Sequence, residues 1–234
     1  MPGEVVRIAG LHAYYGESHV LHGVDCHVGR GEVVTLLGRN GAGRTTTLRA
    51  LLGLIATRSG SVLINGQETI GLPPHRIARL GIGYCPEERG IYASLSAEEN
   101  LQLPPPLAPG GMSVDEIYAM FPNLKERRAS PGSHLSGGEQ QMLALARILR
   151  TGARLLLLDE ISEGLAPVIV GTLAKTIHRL REQGYTIVMS EQNFRFAAPL
   201  ADRFYIMERG RIVEGFAARE LREKMALLHQ YLGV

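Results

Sequence analysis

Gly38-Arg39-Asn40-Gly41-Ala42-Gly43-Arg44-Thr45 lies between an apolar run and a helix-like segment, a setting that makes it a candidate anion cradle. Glycines let backbone N–H groups converge on a phosphate, and a helix N-terminus adds positive potential. The spacing is that of a phosphate loop except at one position, where the pattern has lysine and this chain has Arg44. Thr45 is then the expected Mg²⁺ ligand through its hydroxyl. A second candidate is Asp159-Glu160, which ends the run Leu155-Leu156-Leu157-Leu158. A strand buried on both faces has no structural use for two terminal acids. At the C-terminal edge of a parallel sheet they would face the crevice where ligands bind. Asp159 would hold Mg²⁺, directly or through water, and Glu160 would orient and deprotonate an attacking water. The third candidate is Ser136-Gly137-Gly138-Glu139. Ser136 and Glu139 suit a capping box, but glycine costs about 1 kcal/mol in a helix interior and less at its end. Close approach of backbone to a ligand accounts for the two glycines. This reads as a second phosphate-binding helix end. Because the chain has its own phosphate loop, the second element is expected to serve a nucleotide held by another subunit.

These groups need strands and helices to position them. The first segment reads as short strands, with Val24, Cys26 and Val28 alternating with Asp25 and His27. Glu32 to Leu37 runs apolar without alternation, as a strand buried on both faces does. Thr45 to Leu54 reads as a helix, Val62 to Ile64 as a strand entering an Asn65-Gly66 hairpin turn, and Ile82 to Cys85 as a further buried strand. Ser96-Ala97-Glu98-Glu99 and Ser113-Val114-Asp115-Glu116 fit capping boxes, separated by a proline-rich connector, so residues 87–150 read as a mainly helical insertion. Strands return at Leu155 to Leu158, Thr186 to Met189, Phe204 to Met207 and Ile212-Val213, with a helix over 168–183 stopped by Gly184. The tail from Ala217 reads as an amphipathic helix. Strands alternating with helices imply a mostly parallel sheet covered on both faces.

The 234 residues carry a formal charge of +2, which gives no general electrostatic reason to bind nucleic acid. No apolar run approaches the roughly 18 residues of a membrane span, and the N-terminus lacks an apolar signal segment. Cys26 and Cys85 are expected as buried free thiols suited to the cytosol.

The phosphate loop, Leu135-Ser136-Gly137-Gly138-Glu139-Gln140 and the Asp159-Glu160 strand, in this order, resemble an ABC-transporter ATPase over nearly the whole chain. The narrower likeness is to ATP-binding subunits of branched-chain amino-acid importers and their urea or amide relatives. It is carried by Tyr14-Tyr15-Gly16, Pro86-Glu87, Ser162-Glu163-Gly164-Leu165-Ala166-Pro167 and Glu191-Gln192-Asn193, with Leu200-Ala201-Asp202-Arg203 and Met207-Glu208-Arg209-Gly210-Arg211 in support. The resemblance implies an α/β, RecA-like P-loop NTPase fold. Residues 1–86 and 151–234 would form a mostly parallel core with an N-terminal antiparallel β-subdomain, and 87–150 an inserted helical subdomain. ATP and Mg²⁺ are the implied ligands. The nucleotide set is Tyr15, stacking on adenine, with Val20, Gly38, Arg39, Asn40, Gly41, Ala42, Gly43, Arg44, Thr45 and Thr46. Ser136, Gly137, Gly138 and Glu139 would meet the partner subunit's nucleotide. Thr45, Glu87 and Asp159 would serve the metal, and Glu160 and Gln192 catalysis. Glu87 stands where most of the family has Gln, and Gln192 where most has His; glutamine cannot act as acid or base near neutral pH, which leaves Glu160 as the base. Implied partners are a second ATPase subunit, identical or related, membrane permeases, and indirectly a solute-binding protein; Ile91 and Tyr92, apolar residues in the loop after Glu87, are candidates either for the permease contact or for helix–core packing. The location implied is cytoplasmic, on the inner face of the membrane.

Two positions depart from the family pattern. Ile161 replaces the usual proline after Glu160, which alters backbone stiffness and not chemistry. Arg44 keeps the charge of the usual lysine but is larger, planar and forked. On size alone it should shift the phosphates or swing out, slowing hydrolysis. Arg44→Lys would then raise turnover at least roughly tenfold. A weakly hydrolysing partner subunit of a heterodimeric transporter is the alternative that follows.

Overall fold

The computed structural model describes residues 3–233, arranged as two sheets and an inserted group of helices. The first sheet is antiparallel. Strands β1 (Glu4–Tyr15) and β2 (Ser18–Gly29) form a long hairpin, and β4 (Thr57–Ile64) and β5 (Gln67–Glu68) extend it in the order β2-β1-β4-β5. The expected short strands are thus two twelve-residue strands, whose register shifts, as after Ile8 and Ala13, let so long a ribbon bend. At the β4–β5 turn, Asn65 (φ 50°) and Gly66 (φ 79°) are both left-handed, the conformation that a two-residue hairpin requires.

The second sheet has the order β10-β9-β3-β8-β7-β6. It comprises β3 (Val33–Leu37), β6 (Ile82–Cys85), β7 (Leu155–Asp159), β8 (Thr186–Glu191), β9 (Arg203–Glu208) and β10 (Arg211–Ala217). β9, β3, β8, β7 and β6 pair in parallel, and β10 closes the edge antiparallel to β9. Every residue of β3, β7 and β8 is buried, as their continuous apolar runs require. The register sets the C-terminal edge: Leu37 pairs with Glu191, and Asp159 with Ser190. Residues 38–45, Asp159-Glu160 and Glu191-Gln192 therefore leave the sheet side by side.

Helix α1 (Arg44–Leu51) follows the glycine-rich loop. It stops before the expected Leu54, because left-handed Gly53 (φ 73°) reverses the chain and the Leu54 N–H returns to the Arg49 carbonyl at 2.9 Å. After the short α2 (Pro74–Ala78) comes the insertion, with α3 (Ala97–Gln102), α4 (Val114–Met120), α5 (Pro122–Glu126) and α6 (Gly137–Arg150). Both anticipated capping boxes form: the Ser96 and Ser113 N–H groups donate to Glu99 and Glu116 at 2.8 and 2.7 Å. Fully buried Asn100 ties α3 to the preceding loop, accepting from the Tyr92 N–H at 2.8 Å and donating to its carbonyl at 2.9 Å. Ile91 packs into the core beside these helices, whereas Tyr92 is exposed beneath the Arg147 guanidinium.

Helices α7 (Pro167–Glu182), α8 (Phe194–Ala197) and α9 (Met225–Leu232) complete the chain. The expected tail helix from Ala217 is corrected. Ala217 still pairs with Arg203 in the sheet, and the Ala218 N–H donates to the Asp202 carbonyl at 2.8 Å. Only a single turn at Ala218–Glu220 precedes α9. No helix among the described residues is long and apolar enough to cross a membrane.

Cys26 and Cys85 are buried free thiols, and burial pushes both up to about 12. A thiol held so far above neutral pH is a poor nucleophile. Neither should react with Ellman's reagent at about pH 8 in the native protein, and both should after denaturation; rapid labelling of the native chain would contradict this packing.

Candidate active site

The residues expected to do chemistry gather at the edge where β3, β7 and β8 end. Gly38 must be glycine, since a Cβ there would lie 2.7 Å from the Met207 carbonyl oxygen and 2.8 Å from the Ala42 methyl. Gly41 (φ 80°) and Gly43 (φ 105°) are left-handed, so the loop folds back on itself before α1. It encloses a cavity of about 280 Å³ lined by Val20, Asn40 to Thr46, Glu87, Glu160 and Glu163. Most of the expected nucleotide set therefore converges on one space. Gly38 shapes the loop from outside that lining, Arg39 is exposed, and Tyr15 stands 45% exposed at the end of β1 beside Arg49, outside the cavity.

The two acids at the end of β7 differ in their surroundings. Asp159 is fully buried; Thr45 donates its hydroxyl to Oδ1 at 3.0 Å, and Tyr84 donates to Oδ2 at 3.2 Å. Burial raises its carboxyl, and the hydrogen bonds from Thr45 and Tyr84 oppose the rise. These are hard oxygen donors, and an octahedral cation with ~2.1 Å bonds has ligand oxygens about 3 Å apart. The Thr45–Asp159 pair fits Mg²⁺ on that test. Glu87 lines the same cavity as Thr45, its carboxylate within 4.8 Å of those of Glu160 and Glu163.

Glu160 has left-handed backbone (φ 48°), uncommon outside glycine. Its N–H donates to the Ser190 carbonyl at 2.9 Å, and its side chain turns back toward the phosphate loop. Arg44 Nη2 donates to Glu160 Oε1 at 2.7 Å and to Asn40 Oδ1 at 3.4 Å. Arg44 is 3% exposed, with its guanidinium inside the site. Burial and the neighbouring carboxyls of Glu163 and Glu87 push the Glu160 carboxyl up to about 8, with Arg44 pulling the other way.

Beside this cavity lies a more open one of about 870 Å³, lined by Glu160, Ser162 to Leu165, Glu191, exposed Gln192 and neighbours from α7 and α8. The sequence reading gave Glu191 no role of its own. It is 1% exposed, accepts from the Ser162 N–H at 3.2 Å and hydroxyl at 2.9 Å, and burial raises its carboxyl to about 7. The missed signal was the one used for Asp159: an acid closing a continuously buried strand.

Ser136, Gly137, Gly138 and Glu139 start α6 away from both cavities. Ser136 is exposed and caps the helix, its N–H donating to Glu139 at 2.7 Å. The glycine at 138 has a packing reason that the ligand argument omitted. A Cβ there would lie 2.8 Å from Ile169 of α7. At Gly137 the nearest atoms would be those of the Arg89 guanidinium, at 3.3 Å.

The ABC transporter family model matches residues 21–163. The chain is 42% identical over 229 residues to the high-affinity branched-chain amino acid transport ATP-binding protein BraG of Pseudomonas aeruginosa, spanning 94% of this chain and 96% of that one. It is 33% identical over 227 residues to the lipopolysaccharide export system ATP-binding protein LptB of Escherichia coli, spanning 94% and 93%. A solved ATP-binding subunit of an ABC transporter aligns with a TM-score of 0.79 at 28% identity, covering 98% of this chain and 96% of that one. With the family model over more than half of its length and relatives of matching extent, the chain belongs to the ABC transporter family, as one of its ATP-binding and ATP-hydrolysing subunits.

Proposed function

We propose that this ATPase powers an importer of branched-chain or related amino acids, working as one of two ATPase subunits against membrane permeases on the inner face of the membrane. The observation that carries this reading is the end-to-end 42% identity to BraG, against 33% to LptB. A solute-binding protein would deliver the cargo to the permeases.

In the proposed cycle, two subunits close face to face. Each nucleotide lies between the phosphate loop of one and the Ser136-Gly137-Gly138 helix end of the other. Tyr15 meets the adenine, and the loop amides and Arg44 hold the phosphates. Glu160 orients a water toward the γ-phosphorus and takes its proton, while Gln192, which lines the open cavity together with Glu160, hydrogen-bonds the γ-phosphate. Thr45 and Asp159 would hold Mg²⁺, which when bound neutralises charge on the phosphates, with Glu87 in reach of the same space. Preorganised donors of this kind are where most of the rate enhancement in phosphoryl transfer comes from. Closure and reopening would reach the permeases through the helical insertion, where exposed Tyr92 offers an apolar contact.

The test is reconstitution of the chain with branched-chain permeases and their solute-binding protein in vesicles, following labelled leucine uptake. ATP-dependent uptake that stops when the chain is omitted is the expected result. ATP hydrolysis without uptake of any branched-chain amino acid would remove the proposed cargo.

A further inference from the structure

Arg44 stands where the phosphate-loop pattern has lysine, and its surroundings give that difference a use. We propose that Arg44 is a positioning residue that serves two anions at once, holding Glu160 with one nitrogen and a phosphate oxygen of the nucleotide with the other. The inference rests on Glu160 being the base.

The Glu160 contact is the 2.7 Å ion pair from Nη2, with both side chains largely buried (3% and 10% exposed). The other terminal nitrogen, Nη1, is buried and has no hydrogen-bond partner among the described residues. A buried donor left unpaired costs free energy, and native structures keep few of them. This donor belongs to a side chain lining the same cavity as the Asn40–Thr46 loop, where phosphates bind in the proposed cycle. Nη1 itself exposes less than 1 Å², so a small turn of the guanidinium toward the cavity would bring it to an anion bound there.

Lysine could not do both. Its ammonium is one point charge on a flexible stem, while the guanidinium presents fixed, divergent N–H donors in a plane. Glu160 also needs an external hold. Its carboxylate faces those of Glu163 and Glu87, and like charges push it away from them. Arg44 gives it a fixed partner on the phosphate side. In this arrangement the size of arginine is accommodated, and the expectation from bulk alone reverses: Arg44→Lys should slow the enzyme.

A double-mutant cycle with Glu160→Gln tests this. Arg44→Lys should lower turnover at saturating ATP at least roughly tenfold, and change ATP affinity by calorimetry less than about threefold. In the Glu160→Gln background the same substitution should change the residual single-turnover rate less than about twofold, because Arg44 acts through Glu160. The unfolding free energies of the four proteins without nucleotide should be non-additive, a readout of the 44–160 pair independent of activity. Turnover that is unchanged or raised by Arg44→Lys overturns the proposal. So does an equal loss in both backgrounds, or additive unfolding energies. The reading of Glu160 as base fails separately, if Glu160→Gln itself turns over at the parent's rate.

Discussion

Glu160→Gln should abolish steady-state hydrolysis while ATP remains bound. General-base catalysis contributes on the order of 10²- to 10⁴-fold, and Gln192 cannot take a proton near neutral pH. Glutamine keeps the size of the side chain and an acceptor for Arg44, so the loop should keep its shape. In the proposed closed dimer it also removes a negative charge from an interface that holds triphosphates. Dimers should therefore accumulate with ATP, visible as an earlier peak in size-exclusion chromatography, while phosphate release falls to background. Turnover within about twofold of the parent would remove Glu160 from this role.

Ser136→Arg should collapse ATPase activity by a different route. Ser136 is exposed at the start of α6 and far from the cavity around Arg44, so a bulky cation there leaves the chain's own phosphate loop untouched. What it obstructs is the docking of the partner's γ-phosphate. Affinity of the isolated monomer for ATP should barely change, while ATP-driven dimerisation and hydrolysis are lost. The substitution also removes a helix cap, worth about 1 kcal/mol. A thermal melt should show that modest loss in a protein still folded at assay temperature. If monomer affinity fell as steeply as activity, the site shared between two subunits would be wrong.

The strands and helices that build this edge were legible because their signals are local. A continuous apolar run such as Leu155 to Leu158 can only be buried, and Ser-x-x-Glu before Ala97, Val114 and Gly137 marks helix starts by a hydrogen-bonding pattern within four residues. Arg44, Asp159 and Glu160 were legible by type and spacing for the same reason. What was not legible depended on partners distant in sequence. The Arg44–Glu160 pair joins positions 116 residues apart, and nothing local predicts that the guanidinium turns toward the acid. Gly138 was assigned to a ligand because its packing partner, Ile169, lies on another helix. The tail from Ala217 was misread because sheet pairing with Arg203 overrides local helical pattern.

The left-handed backbone at Glu160 has a consequence for lineage. An L-residue with a Cβ held at φ 48° is under a standing conformational load that glycine would relieve and asparagine would ease. In the proposed cycle, use of the carboxylate is what keeps glutamate there. In descendants that no longer need hydrolysis, relaxed selection would leave this position free to drift toward glycine or asparagine, with a gain in stability. A chain of this kind carrying glycine after its Asp159 equivalent would then mark the retired member of an unequal pair.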